Sequence, residues 1–358
     1  MKSSVRWLVP GSVMALVAVG ALAPGASADL PAKTPQEVLV MAAEADVESF
    51  SGTVVARTDL GIPTALLGGL GGEPGMGGGG LSDEERTVRV WKDGDDLARA
   101  SVASLMGEKT LIRNGDDLWY FDSSSATLTT GQVPEYDDAD KADAPWNGEV
   151  PDPAEAAQWL LDAVEPTTQV SAGDPTVVAG REAYEVALTP QQDGTLIGSA
   201  SMAVDAQTGA VLRVQVTAVG ASSPAIDVGY TDFDPTAPSA DVFALGTPPG
   251  ATVEQLEPMG DKPSGDKSSR QGDEADVSVV GEGWTSVVVL PADLMTPPAD
   301  ATGDAAGDDP LAMLPPDVLQ PVDGGSVLST ALLSVMLADD GRVLVGAVTP
   351  EVLAVAAE

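Results

Sequence analysis

The sequence predicts an α+β protein built mostly of antiparallel strands, with a few short helices and a small second unit of the same class at its C-terminal end. Three observations carry this. Period-two alternation recurs: Leu196, Gly198, Ala200, Met202 and Val204 share one face, and Leu212, Val214, Val216 and Ala218 share another. Tight-turn signals at Asp93-Gly94, Asn114-Gly115 and Gln207-Thr208-Gly209 join successive runs. Helix starts are few and share one grammar, a capping side chain followed by Pro and then Glu.

The elements follow in order. Thr34-Pro35-Gln36-Glu37 opens a first helix, with Val38, Met41, Ala42 and Ala45 as its apolar stripe. Strands then run over Phe50 to Thr58, Glu85 to Trp91, Leu97 to Leu105, Lys109 to Arg113 and Leu118 to Phe121. The tetrapeptide Gly-Asp-Asp-Leu at Gly94 and again at Gly115 reads as turn chemistry used twice in a meander. Asp152-Pro153-Ala154-Glu155 opens a second helix, striped by Ala157, Leu160, Leu161 and Val164. Four more strands span Tyr184 to Leu188, Thr195 to Asp205, Ala210 to Val219 and Ala225 to Phe233. Beyond a polar stretch come a strand at Trp284 to Leu290, a Pro- and Asp-rich loop and a segment, Val327 to Leu337, that leaves strand and helix both open. Asp340-Gly341 is a turn, Arg342 to Val348 a strand, and Thr349-Pro350-Glu351 starts a last short helix.

Composition excludes much. The 358 residues carry a net charge of −38 and contain no His and no Cys. Nucleic acid is not an expected partner, because phosphate contacts need Lys and Arg. Without His and Cys there is no imidazole base, thiol nucleophile, Ser-His-Asp triad, ordinary zinc site or disulfide. Carboxylate or Ser-Lys chemistry and oxygen-ligated metals remain possible. The balance favours a binding protein over an enzyme, with no cofactor and no metal expected.

The N-terminal end reads as a secretory signal: Lys2 and Arg6, an apolar run from Trp7 to Leu22, then Ala26-Ser27-Ala28 before Asp29. Cleavage between Ala28 and Asp29 removes two cations and no acid, taking the net charge from −38 to −40. The expected organisation is a signal peptide over 1–28, a main domain over 29–257, a flexible linker over 258–278 and a small C-terminal domain over 279–358, with the product outside the cytoplasmic membrane.

Motifs with chemistry are sparse. The Gly-rich stretch Gly61 to Leu81 lacks Gly-Lys-Ser/Thr and a strand–loop–helix setting, so phosphate binding is not indicated. Its Leu66, Leu67, Leu70 and Met76 leave two readings, a surface insertion or an apolar flap over a cavity. The acidic loops at Asp137, Asp138, Asp140 and Asp143 and at Asp304, Asp308 and Asp309 do not match Ca²⁺-loop spacing. Ser264 and Lys267 have Ser-x-x-Lys spacing but lie in the polar linker.

In their order, FSGTVVART after a first helix, then NGDDLWYFDSSSATLTT, VAGREAYEVALTP, SMAVDAQTGAVLRVQV and DVFALGTPPGATV resemble the outer-membrane lipoprotein-carrier superfamily, which includes LolA-like carriers and RseB/MucB regulators of envelope-stress sigma factors. GEGWTSVVVL and LADDGRVLVGAVTPEVLAVAA are similar to the small C-terminal domain of the RseB type. The resemblance implies a half-open antiparallel β-barrel capped by helices, plus a small C-terminal α+β domain. It implies a carrier that holds a lipid or the acyl chain of a lipoprotein in an apolar cavity. The alternative it allows is a regulator that binds an anti-sigma factor in envelope-stress signalling; a membrane protein, an anti-sigma factor or a transporter, is the further partner it implies. The carriers' inward arginine has four candidates here: Arg57, Arg89, Arg99 and Arg113. Alternation assigns the lining to Val54, Val88, Val90, Trp119, Phe121, Leu188, Met202, Val214 and Val228. That assignment turns on register, because a slip of one residue exchanges the two faces of a strand.

Overall fold

The computed structural model describes residues 30–61, 85–104, 107–132, 167–244, 246–255, 278–291 and 319–358. The cleavage site Ala28–Asp29, the flap residues Leu66, Leu67, Leu70 and Met76, the helix expected after Asp152 and the expected linker up to residue 277 lie outside the described residues, whereas Ser278 begins a strand.

The chain enters through α1 (Pro35–Ala43) and continues into β1 (Ser49–Thr58), β2 (Glu85–Asp93), β3 (Leu97–Ser104), β4 (Gly107–Asn114), β5 (Asp117–Asp122) and β6 (Thr127–Gln132). A second series holds β7 (Thr168–Ala172), β8 (Thr176–Val178), β9 (Arg181–Pro190), β10 (Ile197–Asp205), β11 (Val211–Ala218), β12 (Ile226–Asp234) and β13 (Thr252–Gln255). All thirteen strands form one sheet, with path β13-β6-β5-β4-β3-β2-β1-β12-β11-β10-β9-β7 and β8 alongside β9. The path does not close on itself, so the fold is a half-open barrel. Hairpins explain most of it: Gly94 and Gly115 take φ of +63° and +64° in the two tight turns. The long-range step is the pairing of β1 with β12, which joins the two meanders through eight cross-strand pairs, Ser51–Asp234 to Thr58–Ile226.

The capping box expected at Thr34 forms: Glu37 N–H donates to Thr34 Oγ1 at 3.3 Å, and Thr34 N–H donates to Glu37 Oε2 at 2.7 Å. Val38 of α1 packs with Tyr184, Val186 and Val204, and Leu39 packs with Val170 and Met202. The turn between β10 and β11 approaches α1 closely at Gly209, where φ is +74° and a Cβ would collide with the carbonyl oxygen of Met41. Gly209→Ala is therefore expected to destabilise the protein by about 1–3 kcal/mol through strain and the displaced helix, measured by urea unfolding.

A second, six-stranded sheet has the order β14-β15-β19-β18-β17-β16. Its strands are β14 (Ser278–Val280), β15 (Val287–Leu290), β16 (Gln320–Val322), β17 (Gly325–Ser329), β18 (Ser334–Ala338) and β19 (Val343–Gly346), followed by α2 (Pro350–Ala357). Val287, Val289, Val327, Met336, Leu344 and Leu353 of α2 make its core.

Several expectations are corrected. Val327 to Leu337 is two strands, β17 and β18, joined by a short turn. Trp284 lies in a 3₁₀ turn before β15 rather than in the strand. β6, β7, β8, β13, β14 and β16 carry no clear alternation in sequence. β6 has a single buried residue, Leu128, and all four residues of β13 are exposed. Such strands are formed by pairing with a neighbour and not by an apolar face of their own.

Candidate functional site

Cross-strand partners in an antiparallel pair share a face, so register decides what meets what. One row across the large sheet reads Val186, Met202, Val214, Val228, Ala56. A second reads Tyr230, Val54, Val88, Val102. A third reads Gly52, Val90, Ala100, Leu111, Tyr120. A fourth reads Leu188, Ala200, Val216, Ile226, Thr58. α1 packs against Val186 and Met202 of this face, which is therefore the inner one. Seven of the nine expected residues lie together on it: Val54, Val88, Val90, Leu188, Met202, Val214 and Val228.

Trp119 and Phe121 do not join them. Trp119 stands opposite Ile112 and Phe121 opposite Thr110, in rows that continue to Arg99 and Ser101. These rows belong to the outer face, where Ile112 and Leu128 are buried. A 3₁₀ turn (Ala240–Phe243) lies across them, and Arg99 Nη1 donates to Val242 O at 3.1 Å. The β5 residues that do face inward are Leu118 and Tyr120. Their signal was available in sequence, since they alternate with Trp119 and Phe121, but only pairing shows which parity faces in.

The inner face is apolar and, among the described residues, only partly covered. Val214, in the middle of its row, is 39 % exposed, and the flanking Met202 and Val228 are half-buried. Strands lie about 4.8 Å apart, so the six strands from β10 to β3 present about 24 Å of such surface. Phe50, Tyr230 and Phe233 pack together, with ring centroids 4.9 to 6.5 Å apart, in one cluster with Ala183, Ala203 and Leu212. Burial there raises the Tyr230 hydroxyl above its ordinary pKa.

The outer face of the same strands is polar. Glu185, Ala203, Arg213 and Gly229 form one row, and Arg213 pairs in bidentate fashion with Asp227. Gly229 leaves room for that arginine, since a Cβ would come within 2.9 Å of its Cγ. Burial pushes the Glu185 carboxyl up, and Arg213 opposes that rise. The contrast between the faces gives the sheet a defined inside.

Among the four candidate arginines, Arg113 shares the inner-face parity of Leu111, whereas Arg57, Arg89 and Arg99 have the outer one. Arg113 sits at the end of β4, 3.6 Å from Asp96. A separate groove of about 580 Å³ lies between α1 and the Gln207–Gly209 turn. Lys33, Glu37 and Glu44 among its lining make it a poor apolar site. Among the described residues no group of three acidic side chains is placed to hold a metal ion, and no helix is long and apolar enough to cross a membrane.

Fold and site together define a class: half-open antiparallel barrels with an apolar inner face. No protein-family model matches the chain, and no curated protein matches it. Solved structures similar to it include the MucA/MucB complex of Pseudomonas aeruginosa, at 14 % identity over 89 % of this chain and 95 % of that one, with a TM-score of 0.41. A LolA-superfamily protein of Nitrosomonas europaea is similar at 13 % identity over 60 % of this chain and 99 % of that one, TM-score 0.24. The lipoprotein LppX of Mycobacterium tuberculosis is similar at 12 % identity over 55 % and 92 %, TM-score 0.29. The likeness is one of fold.

Proposed function

We propose that the chain is an exported, non-enzymatic protein that binds acyl chains of a lipid or lipoprotein along its inner face. The observation that carries this reading is the run of apolar rows through Met202, Val214, Val228, Val54 and Val88, half-open to solvent at its centre. Contiguous exposed apolar surface is costly unless something covers it. Burying a hydrocarbon tail releases about 0.8 kcal/mol per CH₂, or about 12 kcal/mol gross for about 15 methylenes. Ordering the chain removes much of that, which suits a carrier that must also release. The reading needs no catalytic group, in keeping with a chain free of His and Cys. Native mass spectrometry of protein purified from its own envelope is expected to show bound lipid, and the emptied protein should take up a fluorescent fatty acid. Recovery of apo protein alone, with no uptake, would remove the proposal.

One observation favours a second reading, a regulator that binds the external part of a membrane anti-sigma factor. The small sheet's face opposite α2 carries the row Val279, Val288, Val345, Val335 and Leu328, with Val279 63 % and Val288 37 % exposed. Crosslinking in membranes discriminates: deletion of residues 279–358 should abolish a captured partner in the second reading and leave lipid uptake as the sole activity in the first.

A further inference from the structure

The small sheet touches the trough. The turn between β17 and β18 carries Leu332, only 7 % exposed although it sits at a turn. Leu332 lies in one cluster with Leu60, Ala225, Ile197, Val216, Ala218 and Ile226. Val216 and Ile226 are inner-face residues, one step along their strands from Val214 and Val228. The turn is pinned there, since Ala331 N–H donates to Leu60 O at 2.8 Å just beyond β1.

The trough thus meets, at this end of β11 and β12, an aliphatic side chain from a different sheet. A groove of about 280 Å³ adjoins the same cluster, lined by Leu60, Ala218, Ala225 and the Ser329–Ala331 segment. Leu60, Ala218 and Ala225 therefore belong both to the cluster around Leu332 and to the wall of that groove.

We infer that Leu332 is the end-stop of the acyl trough and sets the length of chain it accepts. The inference rests on the reading of the inner face as an acyl-chain site and adds a residue that determines specificity. Shortening Leu332 opens a passage from trough to groove, so longer chains gain buried length. Enlarging it shortens the trough.

The docking of the small sheet does not depend on this side chain. Trp284 Nε1–H donates to Thr168 Oγ1 at 2.6 Å, and Trp284 N–H donates to Gln192 Oε1 at 2.8 Å. Leu196 N–H donates to Ala347 O at 2.9 Å, and Thr349 N–H donates to Gly194 O at 2.8 Å. Variants at Leu332 should therefore keep the two sheets together.

The test uses the full chain with Leu332→Val, Leu332→Ala and Leu332→Trp, and saturated fatty acids of increasing length competing with a fluorescent fatty acid. Leu332→Ala should bind the longest chains at least fivefold tighter relative to short ones than the unmodified protein does. Leu332→Trp should bind them at least fivefold weaker. Leu332→Val, which removes a single methylene, shifts the profile the same way as Leu332→Ala and carries the test if the larger truncation unfolds. Length profiles identical to the unmodified protein in folded variants would overturn the end-stop while leaving the acyl site standing. Failure of the unmodified protein to bind any chain would instead overturn the site itself, and the end-stop with it.

Discussion

Val214→Asp is expected to abolish acyl-chain binding and leave the fold in place. Val214 sits at the centre of a row between Met202 and Val228 and is 39 % exposed. Water can solvate a carboxylate there, so the cost to stability is small. A hydrocarbon tail laid across the row strips that water away and leaves an unpaired charge against methylenes, which costs several kcal/mol. An affinity loss of at least about 100-fold, about 2.8 kcal/mol, follows. Val214→Thr, a near-isostere without the charge, should lose far less. Titration with a fluorescent fatty acid, alongside circular dichroism, separates loss of binding from loss of fold. Unchanged affinity in a folded Val214→Asp protein would place the ligand elsewhere.

The largest expected effect on stability is at Arg181. Asp205 ends β10 and is 1 % exposed. Its carboxylate accepts from Arg181 Nε at 2.9 Å, Arg181 Nη2 at 2.8 Å, Thr208 N at 2.9 Å and Thr208 Oγ1 at 2.6 Å. Burial pushes the Asp205 carboxyl up, but the Arg181 and Thr208 donors together outweigh it and hold the group below its ordinary pKa. Arg181→Ala removes the countercharge and leaves the carboxylate buried, at a cost of about 3–5 kcal/mol. The pH dependence has a definite sign. A carboxyl lowered in the native state stabilises above the ordinary carboxylate range, and that contribution drains away as pH falls through the lowered native value. The gap between the unmodified protein and Arg181→Ala should be full at pH 7 and narrow on acidification below about pH 4. Urea unfolding across that range measures it, and a gap independent of pH would contradict the account.

Much of the inner face was legible in sequence because alternation is a local property. Met202 and Val214 fall on their faces by counting in twos, and the two hairpin glycines mark where the count restarts. The error at Trp119 and Phe121 shows where counting stops working. Alternation sorts a strand's residues into two sets, and it does not say which set faces in. In β5 the more aromatic set is the outer one, because the 3₁₀ turn at Ala240–Phe243 lies over that side, more than a hundred residues later in the chain. β6 and β13 were missed for a related reason, since pairing rather than apolar patterning makes them strands.

The sequence by itself determined that this is an acidic, antiparallel α+β protein without the residues of ordinary nucleophilic or zinc catalysis, and that α1 begins at Thr34. Each of these follows from composition or from interactions within a few residues. The tertiary structure alone decided which strand faces lie together, that α1 packs over Val186 and Met202 and that Leu332 of the small sheet packs against Val216 and Ile226. Those facts depend on contacts between residues far apart in the chain, such as Val54 with Tyr230 or Leu332 with Leu60. Their pairing is settled only when the whole sheet closes its register, because each contact is weak until the others hold its partners in place.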